Sequence, residues 1–142
     1  MDLKLEGRVA VITGPAKGMG AAITKAFAAE GAKLALIGRD IAAIEPVAAQ
    51  VRKDGAQAIV VPCDLTKPDE CDEAADATRK AFDGRIDILV NVAGGSGPVG
   101  KPGVDTTPEE FDEIVTLNMN GCFYTMRSVL PTMIAQLSLI HI

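Results

Sequence analysis

Near its start the chain reads Thr13-Gly14-Pro15-Ala16-Lys17-Gly18-Met19-Gly20, set between an apolar run at residues 9–12 and a helix-patterned run at about 21–30. A glycine turn that carries a buried strand directly into a helix limits the possible folds more than any other feature. Glycine adopts backbone conformations closed to other residues, and it keeps side chains away from whatever approaches the helix N-terminus. An ordinary strand-to-helix turn would use the same residue types, so the turn gains weight only from its surroundings.

Those surroundings repeat. Apolar runs at 9–12, 33–37, 58–61 and 86–90 alternate with helical patterns at about 21–30, 41–53, 68–82 and 108–135. The strand candidates are continuous in Val, Ile and Leu with no alternating polar face, as a parallel sheet covered by helices on both sides requires. The pattern predicts an α/β fold, a Rossmann-like doubly wound parallel sheet of order 3-2-1-4 for the part present. Gly31, Gly55 and Gly84 each follow a helical stretch and read as left-handed caps, and Thr66 before Pro68 reads as a helix start. Pro46 predicts that the helix after Asp40 starts late or bends. The Gly- and Pro-rich segment 94–103, just beyond a strand's carboxyl end, reads as a mobile ligand-side loop.

Composition narrows the function. The chain has 142 residues, 48% hydrophobic and 23% charged, enough for one domain with a real core. Its net charge is -5 and its basic residues are scattered, which argues against nucleic acid. No run approaches the ~20 apolar residues of a membrane span, and Met1-Asp2-Leu3-Lys4-Leu5-Glu6 is no secretory segment, so the expected location is cytoplasmic. Cys63, Cys71 and Cys122 lack a C-x-x-C spacing and His141 is the only histidine. Zinc sites, disulfide frameworks and Ser-His-Asp triads are therefore disfavoured, no metal is expected, and the cysteines read as reduced, packed thiols.

A pyrophosphate seated on the helix N-terminus would need glycines at 14, 18 and 20. The Gly-x-x-x-Gly-x-Gly spacing behind Thr13 resembles the short-chain dehydrogenase/reductase family. Three further motifs follow in order: Cys63-Asp64-Leu65 after the third strand, Asn91-Val92-Ala93-Gly94 after the fourth, and Asn118-Met119-Asn120-Gly121. The resemblance runs over about residues 5–136. It implies cofactor contacts from Thr13, Gly14, Ala16, Lys17, Gly18, Met19, Gly20, Arg39, Asp64, Leu65, Asn91, Val92, Ala93 and Gly94, with Asp64 on the adenine and Asn118 in the catalytic set. Val92 stands where the family's motif has a second Asn, so a side-chain hydrogen bond there is lost while the backbone groups remain.

Cofactor choice turns on the adenosine ribose. An acid at the end of the second strand would bind the diol of NAD and repel the phosphate of NADP. Gly38 occupies that place, Arg39 follows it, and Lys17 lies in the glycine turn, so NADP is favoured over NAD. Asp40 opposes this if the strand ends one residue later; otherwise it caps the next helix.

The family's proton transfer implies a tyrosine, a lysine four residues on, and a serine. The only tyrosine is Tyr124, and four residues on stands Ser128, so no Tyr-x-x-x-Lys is present. Tyr124 reads as a packed helix residue, and Ser138 comes too early for the serine. The last six residues, Leu-Ser-Leu-Ile-His-Ile, match the translation of a transposon-end sequencing adapter. The expected organisation is thus an incomplete NAD(P)-binding domain at 1–136 and a non-native tail at 137–142. That reading leaves the fourth strand without a further neighbour, and leaves Leu117, Phe123, Met126, Val129, Leu130 and Met133 along an uncovered helix face that favours self-association.

The implied activity is hydride transfer between NADP(H) and an alcohol or carbonyl in a homo-oligomeric parent, with the 142-residue chain itself inactive. A non-catalytic nucleotide-binding or regulatory module is the alternative. Another Rossmann enzyme, such as a methyltransferase, is disfavoured by the glycine spacing and by Gly38.

Overall fold

In the computed structural model, residues 3–137 and 140–141 are described. Strand β1 (Val9–Thr13) lies between β2 (Lys33–Gly38) and β4 (Ile88–Asn91), β3 (Ala58–Pro62) flanks β2, and the pairings are all parallel. The order 3-2-1-4 is as expected. Beyond β4 lies a two-residue β5 (Ile140–His141), paired with Ile88 and Leu89. The expectation that β4 has no further neighbour is therefore corrected: the segment set apart as a tail supplies one. The rest of that expectation, including Ser138, falls on residues outside those described.

Alternation along the strands divides the core in two. Val9, Val11, Ala35 and Ile37 point to one face, where Cys71, Ala74 and Ala75 of α3 (Pro68–Ala81) and Val129 and Met133 of α5 (Gly121–Ala135) cover them. Ala10, Ile12, Leu34 and Leu36 point to the other, under Ile23 and Phe27 of α1 (Gly18–Ala29) and Ile44, Ala48 and Val51 of α2 (Ile41–Lys53). Burial on both faces explains why β1 shows no polar alternation: all five of its residues are buried.

Four boundaries differ from the sequence reading. Helix α1 begins at Gly18, three residues early, because the glycine turn needs only Gly14 to Lys17. Strand β4 begins at Ile88, since Asp87 spends its buried carboxylate on Val9 N, Arg8 and Arg85 at the strand entrance. Helix α2 starts immediately after Asp40 and runs through Pro46 without a late start. The hydrogen bond that proline cannot donate would have gone to Ala42, whose exposed position leaves its carbonyl to water. Finally, the long helix expected at 108–135 is three pieces: α4 (Pro108–Val115), a π-helical turn (Thr116–Asn120), and α5. Gly31, Gly55 and Gly84 take φ of +78°, +101° and +79°, the left-handed caps expected of them.

The last helix is less bare than expected. Val129 and Met133 are buried against α3 and β4, and Gln136 clasps both the N–H and the carbonyl of Ile86. Phe123, Leu130 and Ile134 remain exposed on its outer side.

Candidate functional site

The carboxyl ends of β1 to β4 open on one edge of the sheet, and the chain reverses direction of travel between β1 and β4. Such a switch point leaves a crevice in which open α/β sheets bind ligands. Here a hydroxyl holds the two strands together: buried Thr13 Oγ1 accepts from Val92 N (3.0 Å) and Ala93 N (3.1 Å). A cleft of about 590 Å³ lies above, within the size range of small-molecule sites.

The three glycines of the turn act differently. Gly14 has φ +64°, and a Cβ on it would lie 2.9 Å from Ala93 Cα, so it lets β1 pass close to the β4 loop. A Cβ on Gly20 would lie 2.0 Å from the Gly14 carbonyl, so it seats the helix against the turn. Gly18 has φ +52° with nothing within 4 Å of its would-be Cβ, and it lines the cleft. Two glycines thus serve packing, and the third faces open space on the ligand side.

At that place the helix begins unfinished. The N-cap of α1 is Lys17, with no side-chain cap and no acid in the first turn, which leaves the leading N–H groups to an anion or water. Helix α2 is capped as expected, Asp40 accepting from Ala43 N at 3.0 Å. Helix α4 has a full capping box from Thr107 and Glu110. Lys17 and Arg39 are both exposed on the cleft wall, and neither makes an ion pair or side-chain hydrogen bond among the described residues. This donor set, bare N–H groups with two cations and a glycine gap, fits a phosphate-bearing ligand.

Of the sequence-predicted residues, Gly14, Ala16, Lys17, Gly18, Met19, Gly20, Arg39, Leu65, Val92, Ala93 and Gly94 line the cleft. Thr13, Asp64, Asn91 and Asn118 are not among its lining residues. Asp64 Oδ1 accepts from Thr66 N (3.0 Å) and Thr66 Oγ1 (2.7 Å), and these bonds, more than the charges of Arg39 and Lys67, hold its carboxyl below the usual range. Asn91 Oδ1 accepts from Thr125 Oγ1 at 2.8 Å. Asn118, in the π turn, accepts from Gly95 N (3.1 Å) and donates to Gly95 O (2.8 Å) and Ile114 O (2.9 Å), pinning the glycine loop to the helix. Sequence reasoning missed Ala43, Ile44, Cys63 and Leu117 on the cleft wall. The last two are direct chain neighbours of Asp64 and Asn118, and that adjacency was the available signal.

Tyr124 is half-buried against the core, its ring 6.0 Å from Phe123 and its carbonyl accepting from Ser128 Oγ. A larger, more open groove of about 710 Å³ runs between α3 and α5 past Asp72, Arg79 and Arg127, with none of the residues that follow the carboxyl ends of the strands in its lining. Among the described residues no group of three or more His, Cys, Asp and Glu side chains is arranged for a metal, and no helix is long and apolar enough to cross a membrane.

Comparison with known proteins agrees with this geometry. Residues 8–138 match the short chain dehydrogenase family model. An uncharacterized oxidoreductase of Staphylococcus aureus (strain MRSA252) is 37% identical over 134 residues, 94% of this chain and 56% of the relative. The chain thus spans just over half the length of the curated relatives it matches. The crystal structure of a metagenomic short-chain oxidoreductase in complex with NADP superposes with a TM-score of 0.88 at 34% identity, covering 96% of this chain and 61% of that one. The structure of L-sorbose reductase from Gluconobacter frateurii, complexed with NADPH and L-sorbose, superposes with a TM-score of 0.89 at 31% identity, covering 99% and 54%. With a family match across nearly its whole length, and with the strand order and glycine turn in place, this chain belongs to the short-chain dehydrogenase/reductase family.

Proposed function

We propose that the cleft binds NADP(H), with the pyrophosphate on the N-terminus of α1 and the ribose phosphate between Lys17 and Arg39. The single observation that carries this reading is the uncapped start of α1 at Gly18, flanked by two cations that make no ion pair among the described residues. A charge-assisted hydrogen bond contributes roughly 1.5–3 kcal/mol, so each cation can favour the phosphate of NADP over the free hydroxyl of NAD, less a discount for exposure. Asp40 also lines the cleft, where its Oδ1 accepts from Ala43 N as the cap of α2.

In the whole protein the bound nicotinamide supplies a hydride donor or acceptor, and the substrate is an alcohol or carbonyl. This chain's part is to bind and orient. Thr13 fixes the crevice, the α1 turn takes the phosphates, and Asn118 positions the loop from Gly94. The reading includes a cytoplasmic, homo-oligomeric parent. One observation favours the second reading, a nucleotide-binding module without catalysis: the sole tyrosine is packed in α5, with Ser128 where a lysine would have to stand.

The source gene read past codon 136, followed by assay of its full product, tests the choice. A downstream Tyr-x-x-x-Lys with NADPH-dependent carbonyl reduction is the expected result. The 142-residue chain itself should oxidise no NADPH against any carbonyl. A stop without that pair, in a product that binds NADPH but turns nothing over, would favour the module.

A further inference from the structure

Two of the three cysteines meet beneath the cleft. Cys63 follows β3 and Cys71 lies at the start of α3, with their Sγ atoms 3.9 Å apart. Both are buried, at 2% and 3% exposure, and only Cys63 also lines the cleft. The cleft is therefore the route by which a small molecule reaches the pair. Between them in the chain lie residues 64–70, of which Leu65 lines the cleft, and Cys71 Sγ also contacts the Leu65 carbonyl at 3.9 Å.

We propose that Cys63 and Cys71 form a redox switch: a low-molecular-weight disulfide entering the cleft oxidises them to a Cys63–Cys71 bond, which reshapes the wall and weakens dinucleotide binding. The effect on the dinucleotide rests on the cofactor reading above. Cys63 passes its proton to Cys71, its hydrogen-bond partner, as its sulfur attacks the oxidant and expels one thiolate, giving a mixed disulfide. Cys71 sulfur then attacks Cys63 Sγ and expels the second. The two protein sulfurs lose two electrons and two protons, and the oxidant leaves as two thiols. The hydrogen bond to Cys71 and burial push the Cys63 thiol up, while the same bond holds the Cys71 thiol below its usual range, so Cys71 is the base that takes the Cys63 proton in the first step. An S–S bond of ~2.05 Å requires the two sulfurs to close by nearly half their present separation. That draws Cys63 Sγ out of the cleft wall. The turn between them cannot follow freely, because the backbone of Gly121 sits against Leu65, where even an added Cβ would lie 3.2 Å from its carbonyl.

The test treats the chain with oxidised glutathione, then alkylates free thiols and maps the peptides by mass, while calorimetry measures NADPH affinity in each state. The expected map shows a Cys63–Cys71 link with Cys122 alone alkylated. NADPH affinity should fall at least tenfold and return with dithiothreitol. Cys71→Ser and Cys71→Ala should bind NADPH like the reduced parent and, after the oxidant, carry a glutathione adduct on Cys63 with no intramolecular link, while Cys122→Ser should still form the Cys63–Cys71 link and lose affinity. A map without the Cys63–Cys71 link overturns the proposal, as does a linked protein whose affinity is unchanged. If the reduced chain takes up no NADPH, the cofactor reading falls and the switch with it, although the link itself is still read by mass.

Discussion

Helix α1 starts on the cleft and α4 starts beside the loop at Gly95 to Pro98, and they start in opposite ways. Helix α4 satisfies itself: Thr107 accepts from Glu110 N, Glu110 Oε2 accepts from Thr107 N at 2.9 Å, and the other oxygen accepts from Lys101 Nζ at 2.8 Å. Helix α1 has no side-chain cap and no acid in its first turn, while α2 has its Asp40 cap and α3 has Asp69 and Glu70. A cap contributes about 1 kcal/mol, so leaving one out has a cost that α4 avoids with two ordinary residues. The difference teaches that the bare terminus is the feature to explain. Gly18 above it holds space open, and Lys17 and Arg39 beside it make no ion pair among the described residues.

The sharpest way to break the contrast is Gly18→Val. A branched side chain would fill the open side of the turn and strain a residue at φ +52°. NADPH affinity should fall by about 100-fold or more while circular dichroism retains the parent's helix content. A folded variant with unchanged affinity would show that the bare terminus is not a phosphate cradle.

Arg39→Ala should have a smaller effect, weakening NADPH by about tenfold and leaving NADH alone, since only the extra phosphate meets the guanidinium. Equal losses for both cofactors, in parallel titrations, would move Arg39 off the ribose phosphate.

Thr107→Ala is the smallest change and sharpens the comparison from the other side. Removing the cap that α4 does possess should cost about 1 kcal/mol in urea unfolding and leave NADPH affinity as it was. An affinity loss without a stability loss would mean that the capping box also serves the ligand.

The fold was legible because each strand's burial is written in unbroken Val, Ile and Leu, and each turn in a glycine that needs positive φ. Gly31, Gly55 and Gly84 are such turns. Helix boundaries were less legible where one residue type has two uses. Pro46 reads as a breaker, but its lost bond falls on the exposed side of α2. The π turn at Thr116–Asn120 has no compositional mark, since its insertion depends on Asn118 reaching across to Gly95. For the site, most motif residues gather around one cleft, but the motifs do not say which side chains face it. Thr13, Asp64 and Asn91 direct their polar atoms into the scaffold, whereas Cys63 and Leu117, apolar neighbours with no motif value, form the wall. Sequence adjacency places residues in one turn; the side a residue faces is decided by the hydrogen bonds its neighbours make.

On the proposed function, this cleft is built for the dinucleotide with the extra phosphate. Calorimetric titration of the reduced 142-residue chain with NADPH and with NADH tests it most directly. Saturable binding of one NADPH per chain, at least tenfold tighter than NADH and weakened by salt, is the predicted result. Binding of neither cofactor, or equal affinity for both, would contradict it.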